Sequence, residues 1–263
     1  MLSTPPRLGH HAHIVRHPLR TPLRRLAAGL ALAAGLCGPA LPAPNFEDSM
    51  AQRTLACTAC HGAQGRAGPD GYYPRLAGKP AGYLYNQLLN FRDGRRNYHL
   101  MTRLIDPLSE PYLAEMAHHF AALDLPYPPP SARPARVSPE LLQRGQALVR
   151  QGDAARGLPA CVQCHGQALT GVAPGVPGLL GLPQDYLNAQ LGAWRTGQRR
   201  AHAPDCMAQI VERMRPEDVV AVTSWLASQA LPADTHPART PPPVPAGAPS
   251  LACGSAQLQA VPR

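Results

Sequence analysis

Apolar positions in this chain follow a helical period in two pairs of stretches that sit at matching places. In the first pair, Tyr83, Leu84, Leu88 and Phe91 share one helical face, and the same spacing returns 103 positions later. In the second pair, Ser109 caps a stretch ending at Leu123 whose face is Tyr112, Met116, Phe120 and Leu123. Its counterpart is Arg215–Gln229, with Val219, Val222 and Leu226 on the inner stripe and Trp225 beside it. This pattern predicts an all-α fold. An earlier apolar run, Leu26–Leu36, is continuous rather than periodic. Arginines up to Arg25 precede it, and small residues and prolines follow. That order predicts a signal peptide over 1–43, cleaved after Ala40 or Ala43, and a periplasmic product. The run is too short to span a bilayer comfortably, an uncleaved anchor being the alternative, and no other stretch could cross one. Leu36 is the wrong size for Cys37 to be a lipoprotein site.

The matching places belong to an internal repeat. Laying Pro74–Arg96 on Pro177–Arg199 pairs Pro74 with Pro177, Leu76 with Leu179, Gly78 with Gly181, Pro80 with Pro183 and Tyr83 with Tyr186. Further on it pairs Leu84 with Leu187, Gln87 with Gln190, Leu88 with Leu191, Arg92 with Arg195, Gly94 with Gly197 and Arg96 with Arg199, while Phe91 faces Trp194. Each copy is a Pro/Gly-bounded loop leading into a helix, then a short loop, a methionine and a second helix. The reading is two tandem domains, 44–125 and 139–230, joined by a proline-rich linker over 126–138 that favours extended, semi-rigid geometry. The tail, 231–263, is rich in proline and alanine and reads as disordered. Each domain has about 90 residues, small for a core to sustain alone.

Charge changes the picture little. Basic residues exceed acidic ones by nine, which invites a nucleic-acid reading. Removing the signal segment takes five arginines and no acidic residue, lowering the surplus to four. No basic stripe with interleaved aromatics remains, so nucleic-acid binding is rejected.

The chemistry lies in the cysteines. Four of the seven fall in two identical frames, Cys57-Thr58-Ala59-Cys60-His61 and Cys161-Val162-Gln163-Cys164-His165, 104 positions apart and each followed by glycine. C-x-x-C-H is the attachment signature of haem c. Two thiols three positions apart reach the two vinyl groups on one porphyrin edge, and the next histidine supplies the proximal nitrogen. A lone C-x-x-C reads equally as a redox pair or half a zinc site. Duplication, export signals and matched methionines favour two covalently bound haems instead. The surplus of four is about what four haem propionates would cancel.

Met101 stands seven residues before Leu108, and Met207 seven before Met214. A thioether on the open face of a haem completes an octahedral iron and raises its potential. Met101 and Met207 are therefore the candidate distal ligands, opposite His61 and His165. Met50, Met116 and Met214 are read as core filler. His99 and His202 are the competing ligands. Cys206 and Cys253, the remaining cysteines of the mature chain, are read as free thiols or as a pair.

With these residues in place the chain resembles the dihaem class I cytochromes of the cytochrome c4 type. The resemblance covers about residues 46–230. It is carried by both C-x-x-C-H-G frames, both P-x-L-x-G-x-P-x-x-Y-L-x-x-Q-L runs, the two methionines and Gln151-Gly152-Asp153…Gly157-Leu158-Pro159-Ala160 before Cys161. It implies two helical cytochrome domains with propionates meeting at their interface. It also implies that the Pro74 and Pro177 carbonyls accept the proximal histidines' Nδ1–H. Tyr83, Tyr186, Arg92 and Arg195 are candidates for propionate contacts, or else surface residues of an amphipathic helix. The first domain departs in its short lead, Phe46–Ala56, which predicts an abbreviated N-terminal helix. Cys206 before Met207 and the tail also fall outside the family pattern.

The function read from this is a periplasmic electron carrier and not an enzyme. It would pass electrons from a quinol-oxidising complex or dehydrogenase to a terminal oxidase or reductase, touching membranes only through partners. The alternatives are a dedicated cytochrome subunit of a dehydrogenase complex and a dihaem peroxidase. The peroxidase needs a displaceable sixth ligand, against which the two methionines argue.

Overall fold

In the computed structural model, described here for residues 47–68, 71–127 and 137–260, Glu47–Arg263 form one compact unit. The predicted signal peptide and the middle of the predicted linker lie outside the described residues. Ten α-helices, two 3-10 turns (Ala63–Gly65 and Ala154–Arg156) and one small ribbon make up the regular structure among those described. The first half holds α1 (Met50–Arg53), α2 (Leu55–His61), α3 (Ala81–Arg92), α4 (His99–Ile105) and α5 (Glu110–Ala121). The second holds α6 (Pro139–Gln151), α7 (Cys161–His165), α8 (Gln184–Arg195), α9 (Cys206–Arg213) and α10 (Pro216–Ser228). Between α7 and α8, β1 (Gly171–Val172) pairs antiparallel with β2 (Val176–Pro177), the one departure from pure helix.

Serine caps start two of these helices, the predicted one at Ser109 and a second at Ser138. Ser109 Oγ accepts from Tyr112 N–H at 3.4 Å to start α5, and Ser138 Oγ accepts from Leu141 N–H at 3.2 Å to start α6. In the first half α3 packs on α5 around Leu84, Tyr85, Leu89, Phe91, Leu113, Met116 and Phe120. In the second, α10 packs along α6 and α8 around Val149, Leu158, Leu187, Val222, Trp225 and Leu226. Gly145 lets α6 and α10 approach, since a Cβ there would stand 2.1 Å from the Ala221 carbonyl oxygen. As the short lead predicts, α1 has four residues where α6 has thirteen.

The tail differs from the disordered segment that its composition predicts. It contains no helix, yet it is held along its length. Ala238 bridges to Val172, and a disulfide joins Cys253 to Cys206 at the first turn of α9. Asn86 on α3 then clasps the chain beyond, donating to Ser255 Oγ at 2.9 Å and accepting from Ala256 N–H at 2.9 Å. Leu258 packs on the first core. The tail thus leaves the second half and reaches the first by residues 255–259. Low-complexity composition predicts little burial, and here one covalent bond together with side-chain and backbone hydrogen bonds to both halves orders the segment instead.

Candidate haem centres

Each C-x-x-C-H frame forms a short helix, α2 or α7, so that the two thiols and the histidine share one side. A glycine ends each helix in the left-handed region, with φ of 74° at Gly62 and 85° at Gly166. At Gly62 a side chain is excluded outright, because a Cβ would meet the Ala67 carbonyl oxygen at 2.4 Å. The turn sends the loop back over the histidine. His61 Nδ1 stands 2.8 Å from the Pro74 carbonyl oxygen, and His165 Nδ1 stands 2.7 Å from that of Pro177. A carbonyl only accepts, so Nδ1 carries the proton in both rings and Nε2 presents a lone pair. Burial lowers the pKa of both histidines, keeping them neutral, which is the ligating form. Burial also raises the Cys57 and Cys164 thiols and pushes Cys161 up to about 12. Among the described residues neither C-x-x-C pair comes together with other His, Cys, Asp or Glu side chains into a metal-holding group.

Met101 lies on α4 and lines a cavity of about 430 Å³ together with Cys57, His61, Pro74 and Phe120. Met207 lies on the first turn of α9, half-buried, and is not among those lining residues. His202 is engaged instead by the Arg95 guanidinium, 3.2 Å from its Nε2. Of the four side chains read as propionate contacts, Tyr83 and Tyr186 reach the cavity and the two arginines do not. Arg92 is taken up by Asp93 at 2.9 Å and Glu110 at 2.8 Å. Arg195 donates to the Met214 carbonyl at 2.5 Å and so ties α8 to the end of α9.

The cavity opens onto a seam between the halves that sequence reasoning passed over. Backbone pairing there is reciprocal: Asn97 N–H donates to Gln198 O at 2.9 Å, and Arg200 N–H to Arg95 O at 2.6 Å. These bonds connect repeat-related positions in opposite directions, so a local pseudo-two-fold axis passes through the Arg96–Arg199 bridge. The side chains obey it. Arg96 donates to Gln87 at 3.0 Å in its own half and to Gln190 at 2.7 Å and Tyr186 Oη at 3.3 Å across the seam. Arg199 donates to Gln190 at 2.7 Å in its own half and to Gln87 at 3.1 Å and Tyr83 Oη at 3.5 Å across it. Arg96 also lies over the Phe91 ring and Arg199 over the Trp194 ring. Gln87, Arg96 and their twins were visible as repeat identities, but only the fold reveals that they meet.

This seam is strongly cationic. Arg199 and Lys79 are buried, and Asp185, the one acidic lining residue, is exposed. Burial alone would raise the Tyr83 pKa, but Arg199, Arg96 and Lys79 together bring it down. An apolar cavity with the Cys57 thiol of the first frame, a neutral histidine and uncompensated cations at one end fits a porphyrin bearing two acidic side chains.

Comparison with known proteins agrees. The cytochrome c family model matches residues 142–230. The thiosulfate dehydrogenase electron acceptor of Thiomonas intermedia is 36% identical over 211 residues, covering 80% of this chain and 93% of its own. Cytochrome c4 of Pseudomonas aeruginosa is 33% identical over 206 residues, covering 78% of this chain and 98% of its own. The chain belongs to the cytochrome c4-like dihaem cytochromes c. Reduced cytochrome c4 from Pseudomonas stutzeri has the same fold, with a TM-score of 0.59 at 28% identity over 69% of this chain and 97% of that one. Thiosulfate dehydrogenase from Marichromatium purpuratum matches with a TM-score of 0.59 at 32% identity, over 66% of this chain and 36% of that longer one. As a member of this family the chain consists of two tandem class I cytochrome c domains, carries two covalently bound haem c groups and transfers electrons between redox partners. Among the described residues no helix is long and apolar enough to cross a membrane.

Proposed function

We propose that Cys57 and Cys60 bind one haem and Cys161 and Cys164 the other, with His61 and Met101 the axial ligands of the first and His165 and Met207 those of the second. The domains follow the repeat, 44–125 and 139–230, and the product works in the periplasm as a carrier rather than an enzyme. The observation that carries this reading is the pair of proline-anchored histidines behind duplicate thiol frames. Haem held at these residues would supply a one-electron acceptor and donor at each frame. The chain's own residues do the rest. The Pro74 and Pro177 carbonyls fix each imidazole's orientation and basicity. Gln87, Gln190, Arg96 and Arg199 brace the halves against relative movement, so the separation between the sites stays constant. Leu84, Leu89, Met116 and Phe120 exclude water around the first, which lowers the reorganisation that accompanies transfer.

The donor is a dehydrogenase or a quinol-oxidising complex, and the acceptor a terminal oxidase or reductase. Relatives named as electron acceptors of thiosulfate dehydrogenase favour that dehydrogenase as donor, in a free or dedicated association. Visible spectroscopy with carbon monoxide on the dithionite-reduced protein tests the ligand set. Two haems and an unchanged spectrum are expected. Ready binding of carbon monoxide at either site would remove Met101 or Met207 as a firm ligand and bring the peroxidase reading forward.

A further inference from the structure

Among the described residues six large apolar side chains stand exposed, and four of them, Leu55, Tyr72, Leu100 and Leu104, lie in the first half. Tyr72 and Leu104 line the cavity beside Cys57 and Met101. Leu100 and Leu104 are one turn apart on α4 and so share a face, and Arg103 is the one formal charge in that helix. Exposed apolar side chains gathered beside a site mark a surface that another molecule covers.

No counterpart of this rim is exposed in the second half, although the repeat supplies the positions. Counted from the thiols, the anchoring prolines and the methionines, the four correspond to Pro159, Gly175, Cys206 and Ile210, all buried or half-buried. The tail covers two of them. Cys206 is bonded to Cys253, and Ser255 Oγ stands 4.0 Å from the Cβ position at Gly175. Next to the disulfide the tail lies close on the loop before Met207. There Gly254 N–H donates to the Pro204 carbonyl at 2.8 Å, and a Cβ on Gly254 would meet the Ala203 carbonyl oxygen at 2.2 Å. Further back, the Pro249 carbonyl accepts from Gln163 Nε2 at 3.4 Å, and Gln163 sits between the two thiols of the second frame. Residues 249–255 therefore form a strap that crosses from the thiol helix α7 to the start of α9, where the proposed distal ligand lies. The thiols report the same difference, since Cys60 is exposed and Cys164 half-buried.

We propose that the strap closes the second frame to other proteins, and that donor and acceptor dock in turn on the first half, each setting an apolar, uncharged face against Tyr72, Leu100 and Leu104. The inference deepens the carrier reading and rests on haem occupying both frames. Electron transfer weakens steeply with distance, so a partner must lie against the site that serves it. At the second frame the chain itself takes that place. The family exchanges electrons with redox partners, and the equivalent positions of the second half already accept polypeptide, so the occupant of the open rim is a redox protein. The single charge of α4 makes that contact apolar rather than ionic. The second haem then stores an electron that enters and leaves across the seam.

The test uses full-length holoprotein. The haem content is measured first, and fewer than two covalent haems would overturn the occupancy on which the proposal rests. Haem methyl resonances of the oxidised protein, assigned to each site through their contacts with the His61 and His165 rings, are then followed as a soluble gadolinium chelate is added. First-site signals are expected to broaden several-fold more than second-site signals. Opening the strap with Cys206→Ser/Cys253→Ser/Asn86→Ala is expected to bring the second site up to the level of the first. Should that variant fail to take up haem, the wild-type contrast and the rim variants still decide. Docking is read as electron exchange between oxidised and reduced copies of the chain, the second copy serving as the probe. Leu100→Glu and Leu100→Lys are each expected to slow it about tenfold, the worth of one leucine's burial, with both haem spectra unchanged. Equal broadening at the two sites of the wild type, or a second site still protected once the strap is open, would overturn the masking. Exchange unmoved in both variants, or slowed by one charge and raised by the other, would overturn the apolar face. A stable wild-type dimer covering the rim would make a second copy the occupant and overturn the proposal as well.

Discussion

The two halves carry the same loop-and-helix repeat and the same histidine–proline contact, yet the polypeptide around them is built differently. The second half wraps its frame in the thirteen-residue α6, which runs along α10. Asp218, its side chain fully buried, joins them: it accepts from Arg144 on α6 at 2.5 Å, from Arg156 at 2.6 Å and from the Arg215 N–H at 2.9 Å. The first half has the four-residue α1 in place of α6, and the ion pair that joins α1 to α5, Arg53–Glu115 at 3.6 Å, is open to solvent. What the repeat duplicates is the setting of the cofactor, while the scaffold is free to diverge. The weaker scaffold must draw its stability from the haem, the seam and the tail.

Removing the thiols should break this comparison most severely. In Cys57→Ala/Cys60→Ala protein, α3 to α5 are expected to lose protection in hydrogen exchange, because little besides the seam and tail then holds them. In Cys161→Ala/Cys164→Ala protein, the α6–α10 contact is expected to survive in part. Equal loss in both variants would mean that the scaffolds are equivalent.

Asp218 sharpens the same contrast. Asp218→Ala strands two arginines and is expected to cost about 3–5 kcal/mol, read as faster exchange in α6 and α10 with α3 and α5 little changed. Burial on its own would raise the Asp218 pKa, but the Arg156, Arg215 N–H and Arg144 contacts outweigh it and hold the value at about 2, against an ordinary 3.8. A lowered carboxylate contributes its full stability above pH 3.8 and loses it as the pH falls towards 2. The gap corresponds to about 2.5 kcal/mol. Acid is therefore expected to loosen α6 from α10, and Asp218→Asn to flatten that dependence, both followed by exchange or helicity against pH.

The mildest change is Asn86→Ala, expected to cost about 1–2 kcal/mol at most and to expose residues 254–260 to proteolysis. A tail cleaved no faster than in the wild type would show that the disulfide and the remaining contacts secure it without Asn86.

Much of this was legible in the sequence because it is local. Helical period, with the Ser109 cap for α5, gave α5 and α10 to within a residue or two, and the short lead before Cys57 foretold α1. The seam was not legible. Gln87, Arg96, Gln190 and Arg199 looked like ordinary polar positions of a repeat, and only the antiparallel pairing of residues 95–97 with 198–200 brings them together. Arg92 and Arg195 misled for the opposite reason. They sit at matching helical positions, but nearby acceptors, Asp93 and Glu110 for one and the Met214 carbonyl for the other, capture them first. The tail was misread because its order comes from contacts about 170 positions away in sequence.

The Cys206–Cys253 disulfide bears on maturation. If the chain matures in the periplasm, as proposed, haem attachment needs four cysteines as thiols where thiols are oxidised, while the same chain carries two others as a disulfide. Cys253 follows every other cysteine in the sequence, so in a chain exported from its N-terminus its proper partner waits beside both frames until the last segment arrives. Oxidation that came early would find Cys206 with only haem-frame thiols to join. The strap can therefore close only once residue 253 has followed both haem frames through export.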